Sequence, residues 1–410
     1  MDEVPIGRRV AYWRGRRNMS QQVFADRLGK SKSWVDKVER GVRRLDKFSV
    51  LHEIADVLRV DVQLLLGKEP ERRTDALNCI DQVEVEAIRS ALERYESMPA
   101  FFVPAPDPPA LDEVRKSVRH AWLTLQYARY GVLTRALPKL LRDTQAADAA
   151  YRGGDERAQE AAHLLGQVYQ IASSTLRKLG EHELAWLAAD RSMAVSQRSG
   201  DLLLTGVATC RVGNALLALG RPKSALEVNV NVASQLAPNG CRAASAQQLS
   251  VYGLLLLQGA MAAARIGDNA TVRELFVAAQ EAADQLGGDY NHYWTSFGPT
   301  NLSLHQAAAA VELGEGGRAV RTDQEIDPDR FNALLPERRA HHLLDLARGF
   351  AQIGNMEQAG ESLLRGDQLA PSEIRCRPIA HEVMSDVLRR TRGAPSSPIV
   401  ELAEHMGVGI

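Results

Sequence analysis

Residues 21–40 read QQVFADRLGKSKSWVDKVER, and their pattern is the most informative one in the N-terminal part of the chain. Ala25 is small enough to let two helices cross closely, and Gly29 permits a tight turn between them. Ser31 can accept a hydrogen bond from the free N–H groups at the start of the second helix. The pattern therefore predicts a helix-turn-helix, with apolar packing at Phe24, Leu28, Val35 and Val38.

The residues around this stretch complete a small basic domain. We predict helices over 6–17, 47–58 and 62–66, with Asp46 and Asp61 as the N-caps of the last two. Residues 1–68 carry 15 Lys and Arg against 9 Asp and Glu, whereas the chain as a whole carries 50 against 51. A basic domain on a mildly acidic body indicates a nucleic-acid-binding N-terminus.

Residues 6–66 resemble the phage-repressor/Cro-like (XRE) helix-turn-helix family. The resemblance is carried by Met19-Ser20-Gln21, Phe24-Ala25, Leu28-Gly29 and Val38-Glu39-Arg40-Gly41. It implies binding to double-stranded DNA, with the N-terminal residues of the second motif helix on base edges in the major groove. The predicted DNA-contacting residues are Gln21, Lys32, Ser33, Trp34, Lys37, Arg40, Arg43 and Arg44.

These residues are predicted to play different roles. Lysine and serine side chains of the second helix can donate to base edges. Trp34 either meets a thymine methyl group or packs on the fourth helix. The arginines that follow the helix are expected to contact phosphates. In the resembling family, the position of Gln21 touches phosphate and braces the second helix.

The rest of the chain is predicted to be all-α. Residues 69–110 form a linker with one helix, 82–96, and five prolines between 99 and 109. Residues 111–392 are helix-periodic, and residues 393–410 form a loose tail, with or without a short last helix. The charge-free stretch 243–264 contains several glutamines and serines, so we expect a buried helix rather than a membrane span.

A glycine followed five residues later by Ala or Val recurs five times in residues 111–392, at intervals of 40, 47, 47 and 40 residues. Glycine can take the left-handed conformation that ends a helix, and the small residue lets the next helix cross closely. This pattern predicts stacked αα-hairpins. With Leu165-Gly166 and Tyr169, the segment resembles tetratricopeptide repeats, although those repeats have 34 residues. The pairs are Gly180/Ala185, Gly220/Ala225, Gly267/Val272, Gly314/Ala319 and Gly354/Ala359.

The first helix of each predicted hairpin carries polar residues along one stripe, at positions 13, 9, 6 and 2 before the turn glycine. We expect this stripe to line a groove. The aromatic-rich segment 288–301 either forms part of the same pocket or fills a gap between repeats. The candidate ligand-binding residues are Gln167, Arg211, Asn214, Gln258, Trp294, Phe297, Asn301 and His305.

Enzyme signatures are not found in the sequence. Gly29-Lys30-Ser31 resembles the end of a phosphate-binding loop, but Phe24 stands where that loop requires glycine. His341 and His342 near Asp345 lack a further ligand cluster, so we predict no metal and no cofactor. The four cysteines are far apart in sequence, and no signal peptide is evident, so a reduced, cytoplasmic protein is expected.

A helix-turn-helix followed by such repeats resembles peptide-pheromone-responsive regulators and XRE regulators of actinobacteria. Phe297-Gly-Pro-Thr-Asn301 and Ala185–Arg191 are similar to the second group. The resemblance implies a homodimeric transcriptional regulator that binds a DNA operator and senses a peptide or small-molecule effector. The alternative is a scaffold whose repeats hold a regulatory protein while the helix-turn-helix localises it to DNA.

Overall fold

The computed structural model describes residues 6–16, 19–43, 45, 48–58, 80, 82–93, 109–151, 153, 155–238, 244–391 and 393–409. Within these residues the fold is all-α, and the one β-bridge joins Tyr290 to Phe297. The chain divides into two compact units, residues 1–87 and 88–410. The predicted helix 62–66, the caps Asp46 and Asp61, and Arg44 lie outside the described residues, as does most of the proline-rich segment.

The N-terminal unit contains the predicted helix-turn-helix. Gly29 has a φ of 62°, and Ala25 is fully buried where the two motif helices cross. The Ser31 hydroxyl accepts from Trp34 N at 3.2 Å, which caps the second helix. The fold also needs Gly7, since a Cβ there would lie 2.0 Å from the carbonyl oxygen of Val38. The helices that lie within this unit are Ile6–Arg16, Gln21–Arg27, Lys32–Glu39 and Phe48–Leu58.

The helix Gln82–Glu93 spans the division between the two units. Its last residues belong to the second unit. There the Ala91 carbonyl accepts from the Gln145 side-chain amide at 3.1 Å. Arg89 also lies 3.8 Å from Glu181. This end of the helix is therefore anchored on the repeat region.

The second unit is a succession of antiparallel helices. Two helices lead in, Leu111–Gln126 and Tyr130–Ala150, and three follow the repeats, Pro371–Arg375, Pro378–Arg390 and Ser397–Met406. A short helix, Pro328–Ala333, precedes the last repeat. We number the five repeats between them hairpins 1 to 5. Their helices are Glu156–Lys178 with His182–Arg198, Leu202–Ala218 with Pro222–Leu236, Ala246–Ile266 with Asn269–Leu286, Pro299–Glu312 with Gly316–Gln324, and Pro336–Gln352 with Met356–Leu369.

The five turn glycines have the predicted left-handed conformation. Their φ angles lie between 71° and 82°. The residue five positions after each glycine is buried, with at most 1% of its surface exposed, because it packs where the second helix crosses the first. The glycine pattern thus predicted the hairpin turns correctly.

Two apolar segments lie in the core of this unit. Ala246–Ile266 is the one described helix long and apolar enough to cross a membrane, and 72% of its apolar window is buried among other helices. The segment predicted as a loose tail contains the helix Ser397–Met406, whose residues Ile399, Leu402 and Met406 are buried. The sequence left open whether this tail contains a short last helix, because ten residues between prolines and glycines give only a short periodic signal.

Candidate DNA interface and effector cavity

The second motif helix presents polar side chains to solvent at its N-terminal end. Lys32, Ser33 and Lys37 are exposed, whereas Val35 and Val38 on the opposite face are buried. Arg40 and Arg43 follow and are also exposed, although Arg40 pairs with Asp36 at 3.3 Å. This arrangement places donors for base edges first and cations for phosphates after them.

Trp34 is half-buried, and one side of its ring packs against the core of the N-terminal unit. It packs against the apolar cluster of the N-terminal unit, which includes Phe24 and Val35. The guanidinium of Arg43 lies 5.9 Å from the ring centroid, within the range of a cation–π contact. The packing interpretation of Trp34 therefore has direct structural support, and its partly exposed edge remains next to Ser33.

Gln21 is held by a buried ion pair behind the second motif helix. Its side-chain Nε2 donates to Glu39 Oε2 at 2.8 Å. Glu39 is only 7% exposed, and Arg14 donates to its two oxygens at 2.5 and 3.1 Å. Gln21 thereby links the start of the first motif helix to the end of the second and fixes their angle. The sequence did not single out Arg14 or Glu39 as this anchor.

A cavity of about 550 Å³ lies within the second unit, against the first helices of all five hairpins. Its volume suits a small organic ligand. Six of the eight candidate ligand-binding residues line it. They are Arg211, Asn214, Gln258, Trp294, Asn301 and His305.

The stripe predicted from the turn glycines explains this lining. At position 6 before the glycine, all five residues line the cavity: Ser174, Asn214, Met261, Ala308 and Arg348. At position 9 before the glycine, four of the five residues line the cavity: Arg211, Gln258, His305 and Asp345. Ile171, at the same position of hairpin 1, is fully buried instead.

Two candidate ligand-binding residues lie elsewhere. Phe297 is fully buried in the core, and its ring occupies the space that a Cβ on Gly253 would need, so its assignment to the ligand site was wrong. Gln167 lies beside a smaller cavity of about 230 Å³. Its Oε1 accepts from Trp122 Nε1 at 2.8 Å and from Trp294 Nε1 at 3.2 Å. Gln167 therefore orients two tryptophans that line the larger cavity.

The segment 288–301 reaches the cavity through a constrained loop. Tyr293, Trp294 and Ser296 have φ angles of 50°, 60° and 50°, which are unfavourable for residues with side chains. Side-chain bonds hold the loop: Tyr293 Oη donates to Asp201 at 2.8 Å, and Asn291 exchanges two hydrogen bonds with Gln126. The ring of Trp294 stacks on Trp122 at 5.5 Å. The segment thus combines pocket lining with packing.

A buried ion cluster lies at one side of the cavity, and the sequence did not predict it. Glu373 is fully buried, and its carboxylate accepts from Lys178 Nζ at 2.8 Å and from Arg377 at 2.5 Å. The hydroxyl of Tyr130 also donates to it. Burial alone would raise the pKa of Glu373, but Lys178 and Arg377 hold it well below its ordinary value.

The two adjacent histidines point to different partners. His341 Nδ1 lies 3.3 Å from Glu373, and His342 Nε2 lies 2.7 Å from Asp323. His341, Glu337 and Glu373 are close enough together to hold a metal ion. However, the ammonium of Lys178 already lies 2.6 Å from Glu337 and 2.8 Å from Glu373, so a bound metal ion would have to displace it.

His305 and Asn301 are positioned by hydrogen bonds within the lining. His305 Nδ1 lies 2.9 Å from the Asn301 carbonyl oxygen, and its Nε2 lies 3.3 Å from the Gln258 amide nitrogen. The Asn301 side-chain oxygen accepts from Arg338 Nε at 2.7 Å. Burial, with the nearby charge of Arg338, lowers the pKa of His305 to about 3. The imidazole is therefore neutral at physiological pH, with Nδ1 as the donor to the carbonyl.

Comparison with known proteins identifies the N-terminal unit. Residues 5–66 match the family described as a helix-turn-helix domain, so this unit is a helix-turn-helix DNA-binding domain. No curated protein and no solved structure matches the chain.

Proposed function

We propose that the protein is a sequence-specific, DNA-binding transcriptional regulator whose helical repeats sense a ligand. The observation that carries this proposal is the helix-turn-helix domain with Lys32, Ser33 and Lys37 exposed at the start of its second helix. The polar cavity in the repeat region supports a sensing role, since the same chain then holds a DNA site and a ligand site. We propose a cytoplasmic, non-enzymatic protein.

We further propose that the regulator binds its operator as a homodimer. A two-fold protein reads two half-sites about 10 bp apart, or a multiple of that distance, because each second motif helix must reach the major groove on the same face of the duplex. We propose that the helical repeats form the dimer interface, because the chain resembles other regulators with such repeats.

Selection of random duplex DNA on the purified protein tests this proposal. At about 0.15 M salt, weak non-specific contacts are already screened, so enrichment reports base recognition. We expect an enriched palindrome, from which the half-site spacing can be measured directly. A lack of enrichment, with the protein folded and with or without a cell extract of small molecules, would contradict the proposal.

A scaffold function is the second candidate, favoured by apolar residues at the hairpin turns. The residue before the turn glycine is Leu219, Ile266 and Ile353 in hairpins 2, 3 and 5, and these are 36%, 36% and 51% exposed. Since successive turns lie at the same end of the hairpins, these side chains offer a partner protein repeated apolar contacts. Stoichiometric capture of one regulatory protein, lost when all three are changed to Ser, would favour the scaffold over the sensor.

A further inference from the structure

Three arginines at the cavity lack an acidic partner, although most of their charged neighbours are paired. Lys178 lies 2.6 Å from Glu337, and Arg348 lies 2.8 Å from Glu312. By contrast, within the described part of the chain, no carboxylate lies within 4.0 Å of Arg177, Arg211 or Arg338.

Two of these arginines, Arg211 and Arg338, also have incomplete hydrogen bonding. The Nε of Arg211 and one terminal nitrogen of Arg338 are buried without any hydrogen-bond partner among the described residues. A buried guanidinium N–H without an acceptor is costly, because folding removes its water and returns nothing. The guanidinium of Arg211 lies 5.9 Å from the ring of Trp122, so it is held in place by an aromatic face rather than by an anion.

Burial disfavours the charge of two of these arginines. Burial lowers the pKa of Arg177, and the positive charges of Arg377 and Arg211 lower it further. Burial likewise lowers the pKa of Arg338. Seven Lys and Arg side chains line the cavity against four carboxylates, so its wall carries an excess of positive charge that a bound anion would reduce.

We infer that the cavity binds a small organic oxyanion, with its carboxylate or phosphate group at Arg177 and Arg211, while Arg338 lines the same cavity. Arginine matches the planar oxygens of both groups, and charge-assisted hydrogen bonds in such a cavity are strong. Asn214 supplies a further polar contact, since the one acceptor of its Nδ2 among the described residues is the Cys210 sulfur at 3.6 Å. This inference rests on the proposed function, because the anion is the ligand that the repeats sense.

Thermal unfolding of the full-length protein tests the inference with two defined probes, pyrophosphate for phosphate chemistry and citrate for carboxylate chemistry. At about 10 mM probe, against sodium chloride of equal ionic strength, we expect one of them to raise the unfolding midpoint by about 2 °C or more. The probe that acts identifies the oxyanion class. No rise with either probe overturns the inference.

Variants separate the cavity from other cationic surfaces. The double variant Arg177→Met with Arg211→Met should lose the probe-dependent rise in the unfolding midpoint. If the double variant folds poorly, Arg211→Met alone is used, and it should show a smaller rise than the wild type. Two control variants should keep the rise. One is the double variant Lys32→Ala with Lys37→Ala in the DNA-binding domain. The other is Arg198→Met, which removes a half-exposed arginine paired with Asp148 at 2.8 Å. An equal rise in the arginine variants would be a general salt effect and would overturn the inference.

Operator selection on the same samples distinguishes the two proposals. An enriched operator without a probe-dependent rise contradicts only the anion site. A probe-dependent rise that needs Arg211, without any enriched operator, supports the anion site and contradicts the regulatory function.

Discussion

His305 shows how a buried residue of the cavity wall affects the whole protein through its protonation. Its Nδ1–H donates to the Asn301 carbonyl, and the Gln258 amide faces its Nε2. A second proton on Nε2 would meet that amide and the charge of Arg338. The folded protein therefore stabilises the neutral form of the His305 imidazole over the protonated form.

A dependence of stability on pH follows for His305. Its pKa of about 3 in the folded protein lies below the value of about 6.5 in an unfolded chain, so the unfolded state takes up the proton first as the pH falls. Stability is therefore fully present above pH ~6.5 and falls toward pH ~3. Between pH 7.5 and 5.5, we expect the wild type to lose about 1.4 kcal/mol more than His305→Gln, measured by urea unfolding. Parallel pH dependences of the two proteins would contradict this.

We propose that operator specificity depends on the exposed lysines of the second motif helix. Lys32→Ala and Lys37→Ala should each weaken binding to the selected operator by about 1–3 kcal/mol and relax base preference at one position. Lys139→Ala removes an exposed lysine from the helix Tyr130–Ala150 of the second unit and should leave operator affinity unchanged. Measured affinities for a set of single-base operator variants would check this. Unaltered base preference would contradict base contact by these lysines.

At the scale of elements, the hairpins depend on backbone conformation at their turns. Gly220 has a φ of 71°, and a Cβ there would meet no other atom within 4 Å. Gly220→Ala should therefore cost about 1 kcal/mol from the left-handed backbone alone. Gly317→Ala, inside the helix Gly316–Gln324, is the matched control and should be neutral or slightly stabilising. Equal free energies of unfolding for the two variants would show that the turn conformation is not the cause.

The elements also show what sequence patterns can and cannot predict. Turn glycines and the polar stripe are periodic and local, so the hairpins and most of the cavity wall were predictable. Trp122 and Glu373 lie outside the repeats. Trp122 lines the cavity and Glu373 lies beside it, and both positions depend on contacts between segments that are distant in sequence. Phe297 and Trp294 lie three residues apart in one loop, but backbone turns that no pattern specifies send one ring to the core and the other to the cavity.

At the scale of the molecule, the ion cluster joins the beginning and the end of the repeat region. Glu373 is bonded to residues 243 and 195 positions earlier in the chain, Tyr130 and Lys178. Helical repeats usually contact only their neighbours in sequence. Here Lys178 of hairpin 1 also forms an ion pair with Glu373, in the helix that follows hairpin 5. This ion pair connects the two ends of the cavity wall.

Removal of Glu373 tests the importance of this closure. Glu373→Leu leaves Lys178 and Arg377 buried with less compensating charge, so we expect a loss of about 3–5 kcal/mol in the free energy of unfolding. Lys178→Met combined with Glu373→Leu should recover part of that loss, since the unpaired ammonium is removed too. Asp386→Leu breaks an exposed pair with Arg389 and should change stability by less than about 1 kcal/mol. A cost for Glu373→Leu no larger than this control would contradict the closure.

The ring of Phe297 against Gly253 has a consequence for the history of the chain. Any lineage that gained a side chain at position 253 would have had to shrink residue 297 at nearly the same time, because the two occupy one volume. These two positions, 44 residues apart, are therefore expected to change only as a pair among descendants that keep this fold.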